Sequence, residues 1–165
     1  MSQAKVKRPN RNRPHTALIR RPGFLVRRLH QIFVAMYLQN CERFGTTPAQ
    51  SSIMQVLDAQ PGIDQVALAA EIGLDRTTTS NVLSRLETRG IVTRELDTSD
   101  RRTKRAYLTP YGKSLLSEMQ QSINAAHSEL LGPLDRAERE QFLALLLRLV
   151  QENNDKGRSA LSGFN

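Results

Sequence analysis

The sequence predicts a mainly helical fold interrupted by one small β-hairpin. Apolar residues recur at three- and four-residue spacings through most of residues 22–153, and proline and glycine punctuate those runs where helices begin and end. One short stretch, Ile91 to Leu108, instead alternates strand-like segments with a charged turn. At 165 residues the chain has the size of a single domain. With 5% aromatic residues and no tryptophan, its core must be built from Leu, Ile, Val, Ala and Met.

Residues 1–14 combine Lys, Arg, Asn and proline with almost nothing apolar, so they lack the burial needed to offset ordering entropy; residues 1–21 are expected to form a flexible basic arm. Pro22 opens a helix to about Phe44, with Leu25, Leu29, Ile32, Phe33, Met36 and Tyr37 as its apolar stripe, and Gly45 ends it. Thr47-Pro48 starts a helix to about Ala59, with Ile53, Met54, Val56 and Leu57 inward, closed by Pro61-Gly62. Asp64 caps a helix from Gln65 to Ile72, and Gly73 makes a tight turn to Asp75, the cap of the next. That next helix carries an apolar face of Leu74, Val82, Leu83 and Leu86 and stops at Gly90. Ile91–Leu96 and Arg105–Leu108 read as strands around the polar tip Asp97–Lys104. Thr109-Pro110 begins a helix to about Leu131, broken by Gly132-Pro133. Asp135 and Glu138 form a capping-box-like start for a last helix, Arg136–Asn153, with Phe142, Leu145, Leu146, Leu149 and Val150, before a tail at 154–165. A helix-glycine-helix step followed by a basic hairpin is a winged helix-turn-helix.

Charge sharpens that reading. The formal net charge of +8 and pI near 10.4 favour a polyanionic partner, and the charge is uneven along the chain. One basic concentration is the arm, with no acidic residue before residue 30; the second runs from Arg76 through Arg85, Arg89 and Arg94 to Arg101, Arg102, Lys104 and Arg105. The polar face of the helix after Asp75 carries Arg76, Thr77, Thr78, Ser80, Asn81 and Arg85, short hydroxyl and amide groups flanked by guanidiniums, which suit base edges and phosphates. Three consecutive threonines are poor helix formers on an exposed face, so they are expected to serve contact. At the hairpin tip, Arg101 or Arg102 can enter a narrow minor groove, with Asp100 holding the other by a bidentate pair.

Asp75 through Leu86, Gly90, Arg94, Asp100-Arg101-Arg102 and Leu108-Thr109-Pro110-Tyr111-Gly112 together resemble the multiple-antibiotic-resistance regulator (MarR) family of bacterial transcription factors. The Asp-Arg-Arg wing followed by Leu-Thr-x-x-Gly is the specific part of the likeness, which extends in helix order over roughly residues 22–153. Thr79 and Asn81 stand where relatives often place an aliphatic and a basic residue, so base preference does not transfer. The resemblance implies a DNA-binding regulator, one arginine of the wing in the minor groove, and a cleft that takes small aromatic carboxylates. The division expected is a winged helix-turn-helix at 47–112, with dimerisation helices at 22–46 and 113–153. A two-fold dimer calls for an inverted-repeat operator in double-stranded DNA with half-sites about 34–36 Å apart.

Effector contacts are expected from Arg20, Arg21, Arg27, Arg28, His30 and Tyr37, a basic rim on an apolar cleft that suits an anion with a hydrophobic body, an aromatic acid or its acyl-coenzyme A thioester. An alternative is a redox repressor built on Cys41, which one branch of the family suggests; another is a winged module that binds protein or RNA. Cys41 is the sole cysteine, and its place near a helix C-terminus disfavours a thiolate. Scattered His15, His30 and His127 offer no metal spacing, and no nucleophile elbow, phosphate loop or carboxylate pair is present, so neither cofactor nor enzyme activity is expected. With no membrane-spanning run or signal core, the expected location is the cytoplasm and no membrane partner is expected.

Overall fold

A computed structural model describes residues 17–98, 103–157 and 159–163. The elements run α1 (Pro22–Asn40), a 3-10 turn (Glu42–Phe44), α2 (Pro48–Ala59), β1 (Ile63–Asp64), α3 (Gln65–Ile72), α4 (Arg76–Thr88), β2 (Val92–Leu96), β3 (Lys104–Leu108), α5 (Pro110–Leu130), α6 (Arg136–Glu152) and a second 3-10 turn (Asn154–Lys156). The mainly helical class with a β-hairpin is therefore correct. Helix ends are closed by side chains: Thr47 and Gln50 form a reciprocal capping box on α2, Asp135 and Glu138 another on α6, and Thr109 Oγ1 accepts from the Gly112 N–H at 3.0 Å.

One helix end and one added strand differ from the sequence expectation by more than a residue. The first helix stops at Asn40, and the chain tightens into a 3-10 turn whose bonds, Phe44 N–H to Cys41 O and Gly45 N–H to Glu42 O at 3.0 Å each, satisfy carbonyls left at the helix end. That tightening puts Cys41 and Phe44 in the core, and Gly45 reverses the chain at a φ of 59°. Strand β1 is absent from the sequence expectation, since two residues are too few to show an alternating pattern. It pairs antiparallel with the inner strand β3, Ile63 opposite Ala106, giving a sheet of order β1-β3-β2; β2 pairs β3 from Val92–Leu108 to Leu96–Lys104.

The core lies between α1, α2, α3, α4, α5 and the sheet: Tyr37, Ile53, Met54, Leu57, Leu68, Leu83, Leu86, Ile91 and Met119 are each buried. Helix α1 packs along α5, while α2 and α3 support α4. Helix α6 is different: none of its residues is buried, and Leu143, Leu147 and Val150, with Leu145 and Leu149 beside them, leave it apolar over most of its girth. Leu25, expected on the buried stripe of α1, is also exposed. After α6 the chain turns back onto α3: Asn154 brackets Leu161 by two hydrogen bonds of 2.8 and 2.9 Å, and the Ser162 N–H donates to Ala70 O at 2.9 Å.

Gly112 fixes how α5 meets the hairpin. A Cβ there would lie inside contact distance of the Ile91 backbone carbonyl, whereas a Cβ on Gly23 in α1 would meet nothing within 4 Å. Gly112→Ala is expected to destabilise the fold by about 1–3 kcal/mol through overpacking against rigid backbone, and Gly23→Ala to stabilise it by up to about 1 kcal/mol. Urea unfolding followed by circular dichroism checks both.

Candidate nucleic-acid interface

Helix α4 is held with one face outward by what its other face buries. Thr79, Leu83 and Leu86 are buried, and Val82 packs at the edge. Here the structure corrects the sequence reading twice. Leu74 lies ahead of the helix, and its expected place on the inner face is taken by Thr79, one turn before Leu83. Thr79 is thus not a contact residue: it is fully buried, and it keeps its hydroxyl satisfied by donating to Asp75 O at 3.0 Å.

The outward face carries Arg76, Thr77, Thr78, Asn81 and Arg85, all exposed, with Ser80 half-buried at the edge. Asp75 caps the helix by accepting from the Thr78 N–H at 2.9 Å and from the Thr78 hydroxyl at 2.6 Å. These bonds, the hydroxyl first, hold the Asp75 carboxyl below its ordinary range, so it is a carboxylate at neutral pH. Thr78 therefore reaches any partner already committed to the cap, while Thr77 and Asn81 have no such tie among the hydrogen bonds described. Lys104, exposed at the start of β3, stands at the tip end of the hairpin opposite Leu96. Asp100, Arg101 and Arg102 lie outside the described residues.

The second basic concentration is less outward than the sequence suggests. Arg94, on β2, turns back to α4 and pairs with Glu87, also donating to Ser84 Oγ at 3.2 Å. That pairing holds the Glu87 carboxyl below its ordinary range, the Arg94 hydrogen bond being the main cause and outweighing partial burial. Arg105 pairs with Asp97 and donates to Gly62 O at 2.9 Å, tying the tip side of the hairpin to the turn before β1. Arg89 donates to the carbonyls of Phe44 and Gly45. Three guanidiniums of the concentration thus fasten segments of the fold to one another, and Arg76, Arg85 and Lys104 remain turned to solvent.

Of the expected effector residues, Arg20, Arg21, Arg27, Arg28 and His30 are exposed around the start of α1. Tyr37 stands apart from them: it is 1% exposed, its hydroxyl shares a 3.2 Å hydrogen bond with Thr46, and burial pushes its phenol up. A tyrosine so enclosed belongs to the core rather than to a ligand rim. A cavity of about 540 Å³ at the α1–α2 connection is lined by Leu38, Gln39, Cys41, Glu42, Gly45, Thr46 and Thr47, and none of the expected effector residues lines it. Cys41 is 1% exposed, and burial pushes its thiol up, away from the reactive thiolate. Among the described residues there is no cluster of His, Cys, Asp or Glu fit for a metal, and no helix long and apolar enough to cross a membrane.

A helix-turn-helix with a polar, arginine-flanked second helix and an adjoining wing is the DNA-reading unit of a transcription regulator. A family model described as the MarR family matches residues 44–103, the helix-turn-helix and most of the wing. The chain is 31% identical over 111 residues, 67% of each protein, to a putative transcriptional regulatory protein for the hcr operon of Thauera aromatica. It is also similar to PcaV of Streptomyces coelicolor, solved with its natural ligand, at 31% identity and TM-score 0.74 over 81% of this chain and 94% of that one. CouR, a transcriptional repressor solved on a 23-mer DNA duplex, superposes at TM-score 0.79 and 27% identity over 84% of this chain and 98% of CouR. CouR from Rhodococcus jostii RHA1 has also been solved with p-coumaroyl-CoA, at TM-score 0.70 and 27% identity over 80% and 93% of the two chains. The chain belongs to the MarR family and is a DNA-binding transcription regulator.

The outward and inward arginines separate by experiment. Arg76→Ala and Arg85→Ala are each expected to weaken DNA binding and to lower the slope of log K against log salt by about 0.9 for each phosphate left without its cation, with unfolding unchanged. Arg94→Ala should instead cost about 1–2 kcal/mol of stability, because Glu87 loses its charged partner. Fluorescence anisotropy over a salt series, paired with thermal melts, distinguishes the two groups.

Proposed function

We propose that the protein is a homodimeric cytoplasmic repressor that binds an inverted-repeat operator and leaves it when an anionic effector, an aromatic carboxylic acid or its acyl-coenzyme A thioester, is bound. The reading rests above all on the outward face of α4, where Arg76, Thr77, Thr78, Asn81 and Arg85 stand exposed while the inner face is fully packed. Short polar side chains between two guanidiniums match base edges flanked by phosphates.

Dimerisation is supported by what α6 and α1 leave bare. Leu143, Leu145, Leu147, Leu149 and Val150 on α6 are exposed, as are Leu18, Ile19, Leu25 and Val26 around the start of α1, and apolar side chains left bare in such number favour a partner surface. In this reading residues 47–112 bind DNA, and residues 22–46 and 113–153 form the two-fold region, so that two α4 helices meet successive major grooves. The effector class is supported by the basic cluster Arg20, Arg21, Arg27, Arg28 and His30 at the start of α1, which suits the phosphates of coenzyme A, and by CouR, whose ligand is an aromatic acyl thioester. An effector that prefers a helix spacing unsuited to DNA lowers DNA affinity by the same factor that DNA lowers effector affinity.

The test uses the full chain and a duplex selected by it from a random pool. A thioester such as p-coumaroyl-CoA, or its free acid, is expected to raise the melting temperature of the free protein and to release the duplex over the same concentration range. Arg28→Ala should weaken the thioester response far more than duplex binding. Failure of a panel of aromatic acids and thioesters to bind would remove the effector class. Sedimentation of a monomer at micromolar concentration would remove the dimer.

A further inference from the structure

Arg89 follows α4 as its C-cap, and its side chain leaves the reading unit altogether. Its Nη1 donates to Gly45 O at 2.8 Å and its Nη2 to Phe44 O at 2.7 Å. Both carbonyls belong to the connection between α1 and α2, where the 3-10 turn ends and Gly45 takes its left-handed conformation. Carbonyls at such a turn lack partners along the chain, and a planar guanidinium is the one side chain that reaches two neighbouring acceptors with two parallel donors. The connection it grips is anchored on its far side. Phe44 is buried, Thr46 bonds the Tyr37 hydroxyl at 3.2 Å, and the same Thr46 lies 3.9 Å from Met119 Sδ on α5.

The C-terminal half of α4 is therefore held by two guanidiniums with different duties. Arg94 ties it to the hairpin, inside the unit that meets DNA. Arg89 ties it to the turn leaving α1, outside that unit, beside the 540 Å³ cavity that Gly45 also lines. We propose that Arg89 is a positioning residue for DNA recognition: it sets the orientation of α4 relative to the α1–α5 pair, and so determines sequence specificity without touching DNA. This goes beyond the DNA-binding reading and rests on it. The competing role for a basic residue at this place is an ordinary phosphate contact, made through charge alone.

Arg89→Lys and Arg89→Gln in the full-length protein separate the two roles. Lysine keeps the charge and loses the two-pronged grip; glutamine loses both. The probes are a duplex that the parent protein selects from a random pool and a scrambled duplex of equal length, each titrated over a salt series, with melting temperature and helix content recorded to confirm folding. If Arg89 positions α4, both variants lose about tenfold in affinity for the selected duplex, an effect of the size expected for a charged hydrogen bond. Binding to the scrambled duplex and the salt slope then stay as in the parent. The proposal is overturned if Arg89→Lys matches the parent on both duplexes, or if Arg89→Gln weakens both equally with the salt slope falling by about 0.9, the value for one phosphate. A parent that selects no duplex would overturn the DNA-binding reading itself, an outcome separate from either.

Discussion

Burial of Thr79, Leu83 and Leu86 holds α4 against α2, α3 and the hairpin, and with it decides which residues of the chain can meet DNA. A helix turn spans about 3.6 residues, so fixing these three turns Thr77, Asn81 and Arg85 outward, while Arg76, on the angular side of Leu83, is exposed because it opens the helix. The inner face tolerates one hydroxyl because Thr79 bonds back to Asp75, the residue whose side chain also caps the helix. Cap, inner face and outer face are thus set by a few adjacent positions, and a change at one is felt at the others.

Electrostatics distributes labour among residues of one type. The charge of +8 suggests a surface made for a polyanion, yet Arg89, Arg94 and Arg105 direct their guanidiniums to carbonyls and carboxylates within the fold. Two of them join segments that are distant in sequence, Arg105 linking the hairpin to the turn before β1 and Arg89 linking α4 to the end of α1, while Arg94 ties β2 to the helix just before it. Arginine suits this work because one planar group bridges two acceptors. Among the described residues, the part of the second basic concentration left outward is Arg76, Arg85 and Lys104, a smaller set than composition implies.

Most helices are legible in the sequence because their ends carry chemistry as well as pattern. Thr47-Pro48, Asp64, Asp75, Thr109-Pro110 and Asp135 with Glu138 each cap a helix at the expected place. What escapes depends on contacts between distant segments. The two residues of β1 acquire strand geometry only by pairing with β3, and the end of α1 is set by the burial of Cys41 and Phe44. On α4, the outward places of Thr77, Thr78, Asn81 and Arg85 follow from the helical period, and the exposure of Arg76 from its place at the helix start. Thr79 does not, because a buried hydroxyl looks like a surface one until its bond to Asp75 is seen. Tyr37 misleads in the opposite way: an apolar-stripe residue with a polar tip fits a ligand rim and a core equally well, and its bond to Thr46 decides for the core. Nothing in the pattern of charges distinguishes an arginine that ties the fold from one that meets a phosphate.

The most direct measurement is a hydroxyl-radical footprint of the protein on a duplex that it selects. An outward α4 on each half of a two-fold dimer predicts two protected patches, centred about one helical turn apart and symmetric about the middle of the site. A single patch, or uniform protection without phase, would contradict that arrangement.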